Sequence, residues 1–118
     1  MALLREYKEI AYQWGIWKTE ESPEELLALL PDPERYEQQL TLFSSPHRKL
    51  EWLSVRVLLY QLLGEEKTIE YAPSGKPHLA DSSYFISISH TRGYVAVILS
   101  PVSEVGIDIE QYGQRVHK

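Results

Sequence analysis

Ser45 to Gly64, SPHRKLEWLSVRVLLYQLLG, is the stretch on which the fold turns. Ser45 offers the hydroxyl of an N-cap, Pro46 suits the first helical turn, and Gly64 stands where a left-handed C-cap is wanted. The spacing predicts one helix over Pro46–Leu63. Leu50, Leu53, Val57 and Tyr60 form one apolar stripe; Trp52, Val55, Leu59, Leu62 and Leu63 form a second. Two stripes imply burial on most sides, so this is the main core helix. Its polar residues are therefore informative. Lys49 and Arg56 are nearly eclipsed along the axis, with Arg48 a short rotation away. Arg56 sits amid Val55, Val57, Leu58 and Leu59, so its guanidinium either snorkels out or bonds something buried. A structural ion pair and a phosphate contact both remain open for it. Arg48 lies near the helix N-terminus, where free backbone amides favour anions.

Upstream, the aromatic stretch Ile10–Trp17 reads as an opening strand. Ser22 as N-cap, Pro23 at the first helical position and the acids Glu24 and Glu25 start a helix that runs to Leu30 and stops at Pro31-Asp32-Pro33. Glu34–Leu42 is a second helical piece. Downstream the period changes from helical to alternating. Thr68–Tyr71 is a short strand, broken by the turn Pro73-Ser74-Gly75-Lys76-Pro77. Phe85–His90, Tyr94–Leu99 and Val105–Glu110 read as three strands joined by turns at Thr91–Gly93 and Ser100–Ser103, an antiparallel meander. The fold class is α+β, with a long helix packed on an antiparallel sheet.

The chain has 118 residues, enough for one domain or half of a larger one. It has no Cys, which excludes disulfide scaffolds, Cys-based zinc sites and thiol catalysis. The net charge of −5 argues against coating a nucleic acid, although a local basic patch for one small anion is compatible with it. No apolar run approaches the roughly 20 residues a bilayer span needs, and the N-terminus lacks a signal-peptide pattern; a cytoplasmic protein without membrane contact is expected.

Three short motifs have chemical potential. In Val105-Gly106-Ile107-Asp108-Ile109-Glu110, strand alternation puts the branched residues toward a core and Gly106, Asp108 and Glu110 on the other face. The two carboxylates are then about 6.6 Å apart at their backbones and can lean onto one hard cation, while Gly106 leaves room beside it. A solvated polar edge is the competing reading. Gly75-Lys76-Pro77 is a rigid turn bearing one cation. Ser89 and His90 end a β run, where hydroxyl, imidazole and turn amides can converge on an anion. Adjacent strand residues point to opposite faces, so the pair does not make a hydrolase.

An Arg-bearing helix, Gly-Lys-Pro, a strand ending in Ser-His, a hairpin and then Gly-Ile-Asp-Ile-Glu resemble, in that order, the 4′-phosphopantetheinyl transferases of the larger, surfactin-synthetase-activating type. The matching stretches are Arg48–Arg56, Gly75–Leu79, Ile86–Thr91 and Val105–Glu110. The resemblance implies that coenzyme A and Mg²⁺ (or Mn²⁺) are bound and that the phosphopantetheine arm passes to a serine of an acyl or peptidyl carrier protein, leaving adenosine 3′,5′-bisphosphate. It implies Asp108 and Glu110 as metal ligands. Lys76 and Pro77 would line the adenine and phosphate end, Ser89 and His90 would hold the pyrophosphate and 3′-phosphate, and Arg48 would be a further phosphate contact.

Family members place a second half after the Asp-x-Glu strand, with a Lys-Glu helix that supplies a third metal ligand and, in some, the base. Nothing acidic follows Glu110 here. Residues 1–118 are therefore expected to be a single half-domain, the N-terminal half of a two-half enzyme, occurring as a fragment or a truncated product. Alone it would turn over poorly and would self-associate through the face its other half covers. Two other functions stay open: a non-catalytic module that only binds coenzyme A or a carrier protein, and another metal-dependent phosphoryl-transfer enzyme using Asp108 and Glu110.

Overall fold

The computed structural model describes residues 3–9 and 11–109. In chain order these form β1 (Leu3–Lys8), β2 (Gln13–Lys18), α1 (Pro23–Ala28), α2 (Glu34–Leu40), α3 (Pro46–Leu63), β3 (Ile69–Tyr71), β4 (Pro77–Leu79), β5 (Phe85–Thr91) and β6 (Tyr94–Ser100). The architecture is α+β, a long helix on an antiparallel sheet of order β1-β2-β6-β5, with β3 and β4 as a separate two-stranded ribbon. Among the described residues no helix is long and apolar enough to cross a membrane.

Helix α3 has the bounds its sequence signals predict. The Ser45 hydroxyl accepts from the Arg48 amide at 3.4 Å, and Gly64, at φ 75°, closes the other end by donating to the Tyr60 carbonyl at 2.7 Å. Its apolar stripes pack against β2, β6 and α1. Leu53, Val57, Leu58 and Leu59 on the helix meet Trp17 of β2, Leu26 of α1 and Val95, Val97 and Leu99 of β6 in one core, all at 1% exposure or less. Burial of each such side chain stabilises the fold by about 1.5–3 kcal/mol. Ser54 is buried too, and its hydroxyl shares a hydrogen with Thr19 at 2.7 Å, fastening the middle of α3 to the end of β2. Helix α1 begins with the reciprocal pair its sequence suggests: Glu25 N–H donates to the Ser22 hydroxyl at 3.2 Å, and Ser22 N–H donates to the Glu25 carboxylate at 2.9 Å.

Several boundaries differ from expectation. The opening strand begins at Gln13 rather than Ile10, which lies outside the described residues, and extends to Lys18. It is preceded by β1, which sequence patterning did not place. That strand forms the sheet rim, with Glu6, Tyr7 and Lys8 exposed, so its charged composition hides its pairing. Helix α1 ends at Ala28 and α2 at Leu40, each about a half-turn early.

The meander is corrected more substantially. The β5–β6 hairpin forms, with Gly93 at φ 80° in its turn, but β6 pairs on its far side with β2, from Gln13↔Leu99 to Lys18↔Tyr94. The slot beside β6 is thus filled, and 105–109 joins no ladder. It lies along β5, fastened by serine hydroxyls: Ile107 N–H donates to Ser87 Oγ at 3.3 Å and Ile109 N–H to Ser89 Oγ at 3.1 Å. The alternation survives without a ladder. Val105, Ile107 and Ile109 are half-buried, whereas Gly106 and Asp108 are exposed.

Candidate functional site

Three elements distant in sequence enclose a cleft of about 490 Å³. Helix α3 contributes Arg48, Glu51, Trp52 and Arg56; the β3–β4 ribbon contributes Tyr71, Gly75 and Pro77; β5 contributes Ile88 and His90. The helix presents Arg48, Trp52 and Arg56 together because four-residue steps fall on one face. His90 arrives from the opposite wall because β5 alternates: Ile86 and Ile88 turn toward the core side, and His90 continues that row past its end.

The floor is aromatic. Trp52 packs edge-on to Tyr36 and tilted to Phe43, both with ring centroids 5.9 Å away. Arg48 holds its guanidinium 5.8 Å from the Phe43 ring centroid while remaining exposed. Arg56 is different in kind. It is only 7% exposed, lies 4.0 Å over the Trp52 ring, and donates to the Trp52 carbonyl at 3.3 Å. Burial pushes its pKa down, and the nearby Tyr71 phenol partly offsets this. Among the described residues no carboxylate pairs with it, so the structural ion pair considered for Arg56 is not seen there. A buried cation beside an exposed one makes this cleft locally positive on a chain of net charge −5.

Glu51 lies between two imidazoles. The same carboxylate oxygen is 3.2 Å from His47 Nε2, one helical turn back, and 3.2 Å from His90 Nδ1 across the cleft. Sequence reasoning did not single out Glu51. The only available signal was the i,i+4 spacing of His47 and Glu51; the link to His90 depends on how β5 docks.

The other sequence-derived residues are divided among separate places. Pro77 borders the cleft, but Lys76 points away from it and pairs with Glu104, whose carboxyl it holds below the usual carboxylate range. That pair borders a second cleft of about 360 Å³, lined mainly by Pro77, Leu79, Tyr84, Phe85, Ile86 and Val105. Ser89 points to the opposite face from His90. Its hydroxyl donates to Asp108 Oδ1 at 3.2 Å and accepts from Ile109 N–H. Ser89 and Asp108, far apart in sequence, are thus in contact, whereas Ser89 and His90 do not converge.

Asp108 suits a hard cation. It is exposed, and among the described residues it accepts from one neutral hydroxyl on Oδ1, with no cation beside it there. Glu110 lies outside the described residues. Among the described residues no group of three or more His, Cys, Asp or Glu side chains could hold a metal. Other donors would have to come from Glu110, a ligand's phosphates or water.

No family model matches the chain. Over 64 residues it is 38% identical to the 4′-phosphopantetheinyl transferase AcpT of Salmonella typhi, and equally so to the AcpT proteins of Salmonella typhimurium and Escherichia coli strain K12. The aligned stretch is 53% of this chain and 33% of each relative, so the likeness spans about a third of the length of the curated proteins it matches. Within that stretch, the chain is similar to phosphopantetheinyl transferases.

Proposed function

We propose that the chain is the coenzyme A- and Mg²⁺-binding half of a 4′-phosphopantetheinyl transferase, acting on a serine of an acyl or peptidyl carrier protein. The observation that carries this reading is the cleft where Arg48 of α3, Pro77 of β4 and His90 of β5 meet over an aromatic floor. It pairs cationic side chains with flat apolar surface, the combination that a nucleotide bearing several phosphates requires. The likeness to the AcpT proteins supports the same reading.

In this proposal Arg48 and His90 contact phosphate oxygens, and Pro77 lines the adenine end, where Lys76 joins it on leaving Glu104. Asp108, steadied by Ser89, and Glu110 hold the metal ion. Mg²⁺ held there, or Mn²⁺ in its place, would neutralise charge on the pyrophosphate. The carrier serine Oγ bonds to the phosphorus of the pantetheine phosphate as the bond to the bridging oxygen breaks. Adenosine 3′,5′-bisphosphate leaves, and the hydroxyl proton passes to a base. By family likeness that base belongs to a second half, so the chain alone binds more readily than it turns over.

Calorimetric titration with coenzyme A, with and without Mg²⁺, tests this. Uptake should depend on Mg²⁺ and should weaken about tenfold in Arg48→Ala and Asp108→Ala chains, the loss of one charge-assisted contact. Undiminished Mg²⁺-assisted uptake by Asp108→Ala and Glu110→Ala chains would overturn the proposal. Mass spectrometry of an apo carrier protein incubated with the chain reads any transfer directly.

A further inference from the structure

We infer that Glu51 is a positioning residue for His90: it engages Nδ1 of the ring and leaves Nε2 as the edge that an incoming phosphate meets. The inference deepens the proposed coenzyme A site and relies on it for the identity of the ligand. The hold on the ring rests on geometry alone.

Glu51 stands on the second turn of α3, and its side chain is 21% exposed, against 59% for His90 and 60% for His47. The carboxylate is thus the inner point on which two outer rings converge, both at 3.2 Å and both on the same oxygen. A contact serving only the helix would need His47 alone. The His90 contact instead joins α3 to the end of β5, one residue before the Thr91↔Tyr94 pair that closes the hairpin.

An ionised carboxylate has only acceptor oxygens, so with one of them 3.2 Å from Nδ1 its charge favours a ring that carries a hydrogen on that nitrogen. In a neutral ring that favours the Nδ1–H tautomer. A phosphate contact at Nε2 then needs a second hydrogen on the ring, and the doubly protonated ring can donate to Glu51 and to the phosphate at once. This also explains why a carboxylate is tolerated in an otherwise cationic cleft beside Arg48 and Arg56. Its oxygen is committed to two imidazoles rather than aimed at the ligand.

Long-range ¹H–¹⁵N correlation spectra of the ¹⁵N-labelled chain report the tautomer of each neutral histidine, with His90 identified by its loss in His90→Asn. His90 should be Nδ1–H in the wild type and in Glu51→Gln, whose amide oxygen still accepts, and should revert to Nε2–H in Glu51→Ala. An Nε2–H ring in the wild type, or no change in Glu51→Ala, overturns the inference whatever the ligand. Coenzyme A titration supplies the functional arm. Glu51→Ala should bind about fivefold more weakly, the scale of one polar contact on the ring, and Glu51→Gln should recover most of the loss. Tighter or unchanged binding by Glu51→Ala would mean that the carboxylate merely repels the ligand or is idle, and the inference fails. A wild-type chain that takes up no coenzyme A would sink the proposed function instead, while the tautomer still decides the role of Glu51.

Discussion

The Ser89 hydroxyl joins Asp108 to β5, donating to Oδ1 at 3.2 Å while accepting from the neighbouring Ile109 amide at 3.1 Å. One side chain thereby orients a candidate metal ligand and secures the backbone on which it sits. Ser89→Ala removes both bonds. Folding stability should fall by about 1–2 kcal/mol in urea unfolding. Mg²⁺-dependent coenzyme A affinity should drop about tenfold, because Asp108 loses its orientation. An unchanged Mg²⁺ dependence in calorimetry would show that the contact is structural only.

Arg48 and Arg56 face one cleft but differ in burial, and they should separate in mutagenesis. Arg48→Ala should leave urea unfolding within about 0.5 kcal/mol of wild type, as befits an exposed side chain. Arg56→Ala should cost about 2–4 kcal/mol, because it empties the space over Trp52 and removes the bond to the Trp52 carbonyl. Comparable losses from the two variants would contradict the described packing.

Lys76 is engaged by Glu104, so a phosphate that recruits Lys76 must displace that carboxylate. Glu104→Gln should tighten coenzyme A about threefold, the modest effect expected on releasing a solvent-exposed ion pair. Equal or weaker binding by Glu104→Gln in the same titration would remove Lys76 from the proposed contacts.

Asp81 gives a pH dependence of definite sign. The Lys67 ammonium at 2.6 Å and the hydroxyl and amide of Ser83 hold its carboxyl well below the usual range. Depressed in the folded state, this group contributes stability above its unfolded pKa of about 3.9, and the contribution is lost as pH falls through the lower folded value. Thermal unfolding measured between about pH 5 and pH 2 should therefore show a decline that is shallower in Asp81→Asn. Lys67 moves the other way, its pKa raised chiefly by Asp81, so its share persists until strongly alkaline pH.

Helix α3 was legible because its signals are local. A hydroxyl, a proline and a glycine at fixed offsets mark its ends, and two stripes declare its burial. The β5–β6 hairpin was legible for the same reason. What failed depends on partners. Nothing within Leu3–Lys8 announces a strand, since its pairing comes from β2. Likewise, the alternation of Val105–Ile109 correctly gives its half-buried face but not its neighbour, because β2 occupies the place beside β6. At the site, residue types were readable but their company was not. Contiguous Ser89 and His90 part to opposite faces, and Glu51 becomes informative only once β5 brings His90 to it.

The fastening of 105–109 has a dynamic corollary. Side-chain hydroxyls, rather than a repeating backbone ladder, tie this stretch to β5, so it can peel off without unzipping any strand pair. Its amides should exchange with deuterated water far faster than those of β6, which opens only with the whole core. Asp108 therefore rides on a strip whose release leaves the β5–β6 pairing intact.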